Sequence, residues 1–156
     1  MLTPDMIQFL RDVGGGILCT RDADNRPSIV ECLYVEIGED QLVGLVPPYL
    51  PTGDLLGNLA DNAEFALITS RVPGDHRSIQ VKGHVTDWQA NVVTPDEVRT
   101  ALALPTQRYP GVPESLDLSR FEDLVDLPVH RLEFRVEEVF DQTPGPNAGN
   151  PVQVTT

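Results

Sequence analysis

Apolar and polar residues alternate with a period of two through most of this chain, in short stretches separated by turn residues. That pattern belongs to half-buried strands rather than helices. It predicts strands over 17–21, 28–37, 41–46, 63–70, 77–88 and 129–140. Turn chemistry sits where the strands must reverse: Asp22-Ala23-Asp24-Asn25-Arg26-Pro27 closes a first hairpin, and Gly38-Glu39-Asp40 a second. Pro47-Pro48 stops the third strand, because proline cannot donate to a ladder. A loop containing Pro73-Gly74 leads into the fifth.

Helical signals are fewer and local. Thr3 caps and Pro4 opens a helix over 4–13, whose apolar face is Ile7, Leu10 and Val13, and Gly14-Gly15-Gly16 ends it. Thr52 is placed to cap a short helix carrying Leu55, Leu56 and Leu59, closed by Asn62. Thr94-Pro95-Asp96-Glu97 is a capping box that predicts a helix to about 104, followed by a loop over 105–113 and a second short helix over 116–125. The turn-rich segment 143–156 reads as an irregular tail.

Six strands joined mostly by short turns leave no room for crossover helices among the first three, so a parallel doubly wound sheet is disfavoured. The expected fold is mainly β: a small six-stranded antiparallel barrel with short helices, in one domain over 1–142. The 156 residues and 40% hydrophobic content suit a single core. No apolar run reaches the roughly 20 residues that span a bilayer, and the N-terminus lacks the basic and apolar regions of a secretory signal, so a cytoplasmic location is expected. With 11 basic against 24 acidic residues and a net charge of −13, nucleic acids and anionic membrane surfaces are disfavoured. Small molecules and protein partners remain.

Charge also singles out one strand. The only lysine, Lys82, lies in Arg77-Ser78-Ile79-Gln80-Val81-Lys82-Gly83, where two cations and two hydrogen-bonding side chains interrupt an acidic chain. Alternation puts Ser78, Gln80 and Lys82 on one face and Ile79, Val81 and Gly83 on the other, with Arg77 at the strand's entrance. Such a strand suits an anionic ligand; a solvated sheet face is the plainer reading. Cys19 and Cys32 have no CxxC spacing and read as free thiols. His76, His84 and His130 form no metal-binding pattern, and no nucleophile elbow is present.

The hairpin at Asn25-Arg26-Pro27, the strand ending Val46-Pro47-Pro48-Tyr49, the helix Leu55-Leu56-Gly57-Asn58-Leu59-Ala60-Asp61-Asn62 and the strand from Arg77 to Gly83 follow one another in an order that resembles the pyridoxamine 5′-phosphate oxidase-like family, the FMN-binding split barrel. The resemblance covers about 14–142 and implies a homodimer with FMN in a groove between two barrels. Carried over by position, it implies cofactor contacts from Tyr34, Val35, Pro48, Tyr49, Thr52, Arg77, Ser78, Gln80 and Lys82, and no catalytic side chain beyond the flavin itself. The sequence departs from the oxidases of the family name at Glu31 and at Thr52-Gly53-Asp54, where those enzymes carry phosphate-binding basic residues. Carboxylates there oppose an anion, which points away from vitamin B6 oxidase activity. Three functions follow from the resemblance: an FMN-dependent oxidoreductase of unnamed substrate, a non-catalytic dimeric module that has lost the flavin phosphate site, and a haem-binding relative in which His84 is the ligand.

Overall fold

The computed structural model describes residues 1–46, 54–72, 74–90, 96, 97, 100 and 129–152. The expected helices over 94–104 and 116–125 and the loop between them lie almost wholly outside those residues, as do Pro48, Tyr49 and Thr52. Six antiparallel strands close a barrel in the order β1-β2-β3-β6-β5-β4: β1 Gly15–Arg21, β2 Pro27–Ile37, β3 Gln41–Val46, β4 Glu64–Ser70, β5 Ser78–Gln89 and β6 His130–Asp141. Each lies within two residues of the bounds that alternation predicts. No described helix is long and apolar enough to cross a membrane.

Inward residues explain why the barrel closes. Leu18, Cys32, Leu42, Leu67, Val81, Leu132 and Phe134 alternate toward the axis and form one core, with Phe65 and Phe134 tilted against each other at 4.8 Å. Burial of the Cys32 thiol raises its pKa far above the ordinary range, so it is an inert space-filler beneath Gly44.

Helix α1 (Pro4–Val13) begins as expected, Thr3 Oγ1 accepting from Met6 N, and ends at Gly14, whose φ of 76° is the left-handed cap that glycine adopts without strain. Its Phe9 and Leu10 are fully buried against the barrel. Helix α2 (Leu55–Asp61) packs on β1 and β2, burying Leu55 and Leu59. Its N-cap is Asp54, whose carboxylate accepts from Gly57 N at 2.8 Å, not the expected Thr52. Both residue types cap well, and the two-residue difference is beyond what local sequence discriminates.

Asn58 fixes α2 to the barrel. Its Nδ2 donates to Thr20 Oγ1 at 3.1 Å and to Ser28 Oγ at 2.9 Å, and all three residues are buried. Asn58→Ala strands two buried hydroxyls in one step, so it should lower the unfolding free energy by about 2 kcal/mol, read as a shift of the urea midpoint at unchanged slope. The segment after β6 is less irregular than its composition suggests. Residues 143–150 make turns, and the chain returns to the barrel where Pro151 bridges Phe140 and Val152 N donates to Val139 O at 2.8 Å.

Candidate functional site

Strand register assembles a surface that no single segment displays. Glu31 of β2 lies opposite Ile17 of β1, Ile17 opposite Ile68 of β4, Ile68 opposite Gln80 of β5, and Gln80 opposite Phe140 of β6. Directly opposed residues share a face, so these five form one row across the outside of the barrel, roughly 19 Å long at the ~4.8 Å strand spacing. A second row beside it runs Ile29, Cys19, Ala66, Lys82 and Glu138. Apolar surface is open to solvent at Ile17, 44% exposed in the first row, and at Ile29, 50% exposed at the end of the second.

The two ends differ in chemistry. At one, the Lys82 ammonium lies 4.6 Å from the centroid of the Phe140 ring, and no carboxylate pairs with it among the described residues. Gln80 beside it accepts from Gln142 Nε2 at 3.3 Å. At the other end, a cleft of about 310 Å³ is lined by Val13, Ile17, Leu33, Ile68 and Ser70, with Glu31 in its wall. Burial raises the pKa of Glu31, and no cation or donor engages its carboxylate among the described residues.

The residues expected to meet a cofactor fall into three groups. Gln80 and Lys82 face outward together, with Ile79 and Val81 inward, as alternation requires. Ser78 and Arg77 do not join them. Ser78 is buried, its hydroxyl 2.8 Å from Ser70 Oγ and 3.0 Å from His76 O. Arg77 turns back to α1, where its guanidinium stacks 4.7 Å from the Phe9 ring and pairs with Asp5. That pairing holds the Asp5 carboxyl below the usual range, so Arg77 is a clamp on the helix rather than a free cation.

Tyr34 and Val35 are also apart. Tyr34 points into the core, its hydroxyl bonded to Thr69 Oγ1; only its backbone reaches outward, its N–H donating to Gly14 O. Val35 is the extra residue of a β-bulge between Tyr34 and Glu36 and lines a different cleft, of about 420 Å³, with Arg11, Glu36, Gly38 and Gln41. His84 donates or accepts at 3.0 Å with Glu137, which also holds Arg135. Among the described residues no cluster of three ligating side chains could hold a metal. Ile17, Ile68 and Phe140 went unnoticed in the sequence. The one signal for Ile17 was the run Gly15-Gly16-Ile17-Leu18-Cys19, which is apolar on both faces and therefore leaves an apolar outer face once the inner one is buried.

No protein-family model matches the chain, and no curated protein matches it. Solved structures do. HupZ of Group A Streptococcus superposes with a TM-score of 0.52 at 17% identity, over 96% of this chain and 100% of its own. A Clostridium acetobutylicum protein related to general stress protein 26 of B. subtilis, described as of the pyridoxinephosphate oxidase family, gives 0.52 at 8% identity over 88% and 84% of the two chains. An F420 reductase gives 0.50 at 18% identity over 88% and 98%. At such identities the likeness is one of backbone, and what it establishes together with the closed six-stranded topology is that this chain has the split-barrel fold of the pyridoxamine 5′-phosphate oxidase-like proteins.

Proposed function

We propose that this protein is a flavin-binding, oxidoreductase-type split barrel that lays the flavin ring along the outer row from Ile17 to Phe140. The observation that carries the reading is the row itself: an apolar floor of Ile17 and Ile68, bordered by Gln80 and by the chain's one lysine, which makes no ion pair among the described residues although Glu138 lies opposite it on β6. A flat ring needs such a floor, with a few polar groups to fix its orientation. When bound, the flavin supplies the redox chemistry, and the protein holds and orients it. Solved structures of like fold include one described as an F420 reductase and one as of the pyridoxinephosphate oxidase family, which supports a flavin-class ligand. The proposal includes a homodimer, in which a two-fold partner covers the exposed Ile17 and Ile29 and closes the groove over the ring.

The ring finds a fitting surface; the FMN phosphate finds little. Asp54 already caps α2 with its own carboxylate, Arg77 is committed to Asp5, and Glu31 adds a negative charge. Phosphate recognition therefore rests on Lys82. One charge-assisted contact is worth about 1.5 kcal/mol, so FMN should bind about tenfold more tightly than riboflavin. Lys82→Ala should erase that preference, and Arg77→Ala should leave it intact. Quenching of flavin fluorescence measures all three. No quenching by the protein at about 100 μM, or a preference that survives Lys82→Ala, overturns the assignment.

The Asp54 cap and the unpaired Glu31 favour one alternative, a dimeric binding module that kept the barrel and lost the flavin. Absence of quenching in the same titration is the outcome it requires.

A further inference from the structure

Glu31 is in the wrong chemistry for an anion and the right chemistry for a cation. Its carboxylate stands in the wall of the cleft formed by Val13, Ile17, Leu33 and Ile68, and faces Ile17 across the β1–β2 pair. Partial removal from water disfavours its charge, which is why its pKa is raised. No arginine, lysine or backbone donor compensates it among the described residues, and the nearest row neighbours on β1 and β4 are both isoleucine. A half-buried carboxylate with apolar surroundings and no partner is an incomplete interaction.

We infer that the Glu31 cleft is a binding site for an amphipathic cation, a protonated amine carried on an apolar, ring-sized body. The ammonium would pair with Glu31 while the body fills the Val13 and Leu33 side of the cleft. A cleft of about 310 Å³ is at the small end of the range for small-molecule sites. The protein's field works in the same direction, since a net charge of −13 raises the local concentration of cations and lowers that of anions. Ile17 and Ile68 belong both to this cleft and to the row proposed for the flavin, which leaves the Val13 and Leu33 side adjoining the ring's edge. The amine is thereby placed as the substrate class beside the ring, an assignment that rests on the flavin reading, whereas the site itself does not.

An uncompensated half-buried charge weakens the fold. Because the folded state raises the Glu31 pKa, it binds that proton more tightly than the unfolded chain does. Stability attributable to the group therefore falls as pH rises from the unfolded carboxyl value through the folded one. Glu31→Gln should accordingly raise the melting temperature at pH 7.5.

The test uses flavin-free protein at pH 7.5 and three indole probes followed by NMR chemical-shift titration: tryptamine, its neutral isostere tryptophol, and the anion indole-3-propionate. Tryptamine should bind at least tenfold more tightly than tryptophol and indole-3-propionate most weakly, with shifts at Ile17, Glu31 and Ile68. Glu31→Gln should bring tryptamine and tryptophol within about twofold while the melting temperature rises. Equal binding of tryptamine and tryptophol by the native protein, or a preference for the amine that persists in Glu31→Gln, overturns the inference. So does a lowered melting temperature with the amine preference unchanged, which assigns Glu31 a structural role. Because no flavin is present, the result stands apart from the flavin titration, and either can fail alone.

Discussion

Replacing Phe9 with alanine is expected to cost about 4 kcal/mol of unfolding free energy. Phe9 is 1% exposed, so its ring contributes close to its full burial energy. Two guanidiniums also lie over its ring, Arg71 at 5.1 Å and Arg77 at 4.7 Å from the centroid, each contributing about 0.5–1 kcal/mol. Both cations are held by carboxylates, Arg71 by Asp75 at 3.1 Å and Arg77 by Asp5, so truncation loosens the whole joint between α1 and the β4–β5 turn. Phe9→Leu separates the contributions. It keeps most of the burial and loses the cation–π contacts, and should cost about 1–2 kcal/mol. Chemical denaturation of the two variants reads both numbers; a cost near zero for Phe9→Leu would mean the guanidiniums add nothing.

Gly83→Ala is expected to cost about 3 kcal/mol, at the upper end for overpacking. A Cβ at Gly83 would stand 2.0 Å from Arg135 O, 3.1 Å from Arg135 C and 3.2 Å from Glu137 N, all backbone atoms of β6. Backbone cannot swing away as a side chain can, so the β5–β6 seam must part. The site lies at that seam, because the register shifts between Lys82 and Gly83, where Glu137 bulges from β6. The same substitution should therefore displace Lys82 and weaken flavin binding at least as much as Lys82→Ala does. Loss of stability with flavin affinity unchanged would separate the bulge from the site.

Strands and turns were legible because each depends on local periodicity and turn residues, and all six were found. The face of Ile79-Gln80-Val81-Lys82 was legible for the same reason, whereas Ser78 at the strand's start is buried against Ser70 rather than facing outward with Gln80. Tyr34 was not. It sits in Cys32-Leu33-Tyr34-Val35, where every residue is apolar or aromatic, and periodicity assigns no face to a uniform run. Arg77 was misjudged because its partner, Asp5, is 72 residues away on a helix whose docking no local pattern reveals. The Glu31 to Phe140 row is a fact of register among five strands, which one-dimensional spacing does not contain. Glu31 itself was visible only as a departure from the oxidases' pattern, and the structure changes its meaning from a missing phosphate ligand to an unpaired charge in an apolar cleft.

The location of the ligand surface is decided by amide chemical shifts of isotope-labelled protein as FMN is added. If the outer row binds the ring, the largest shifts fall together on Ile17, Ile68, Gln80 and Lys82, with Tyr34 and Thr69 in the barrel interior nearly unmoved. Shifts confined to Val35, Glu36 and Gly38 around the other cleft, or none at saturating FMN, would contradict it.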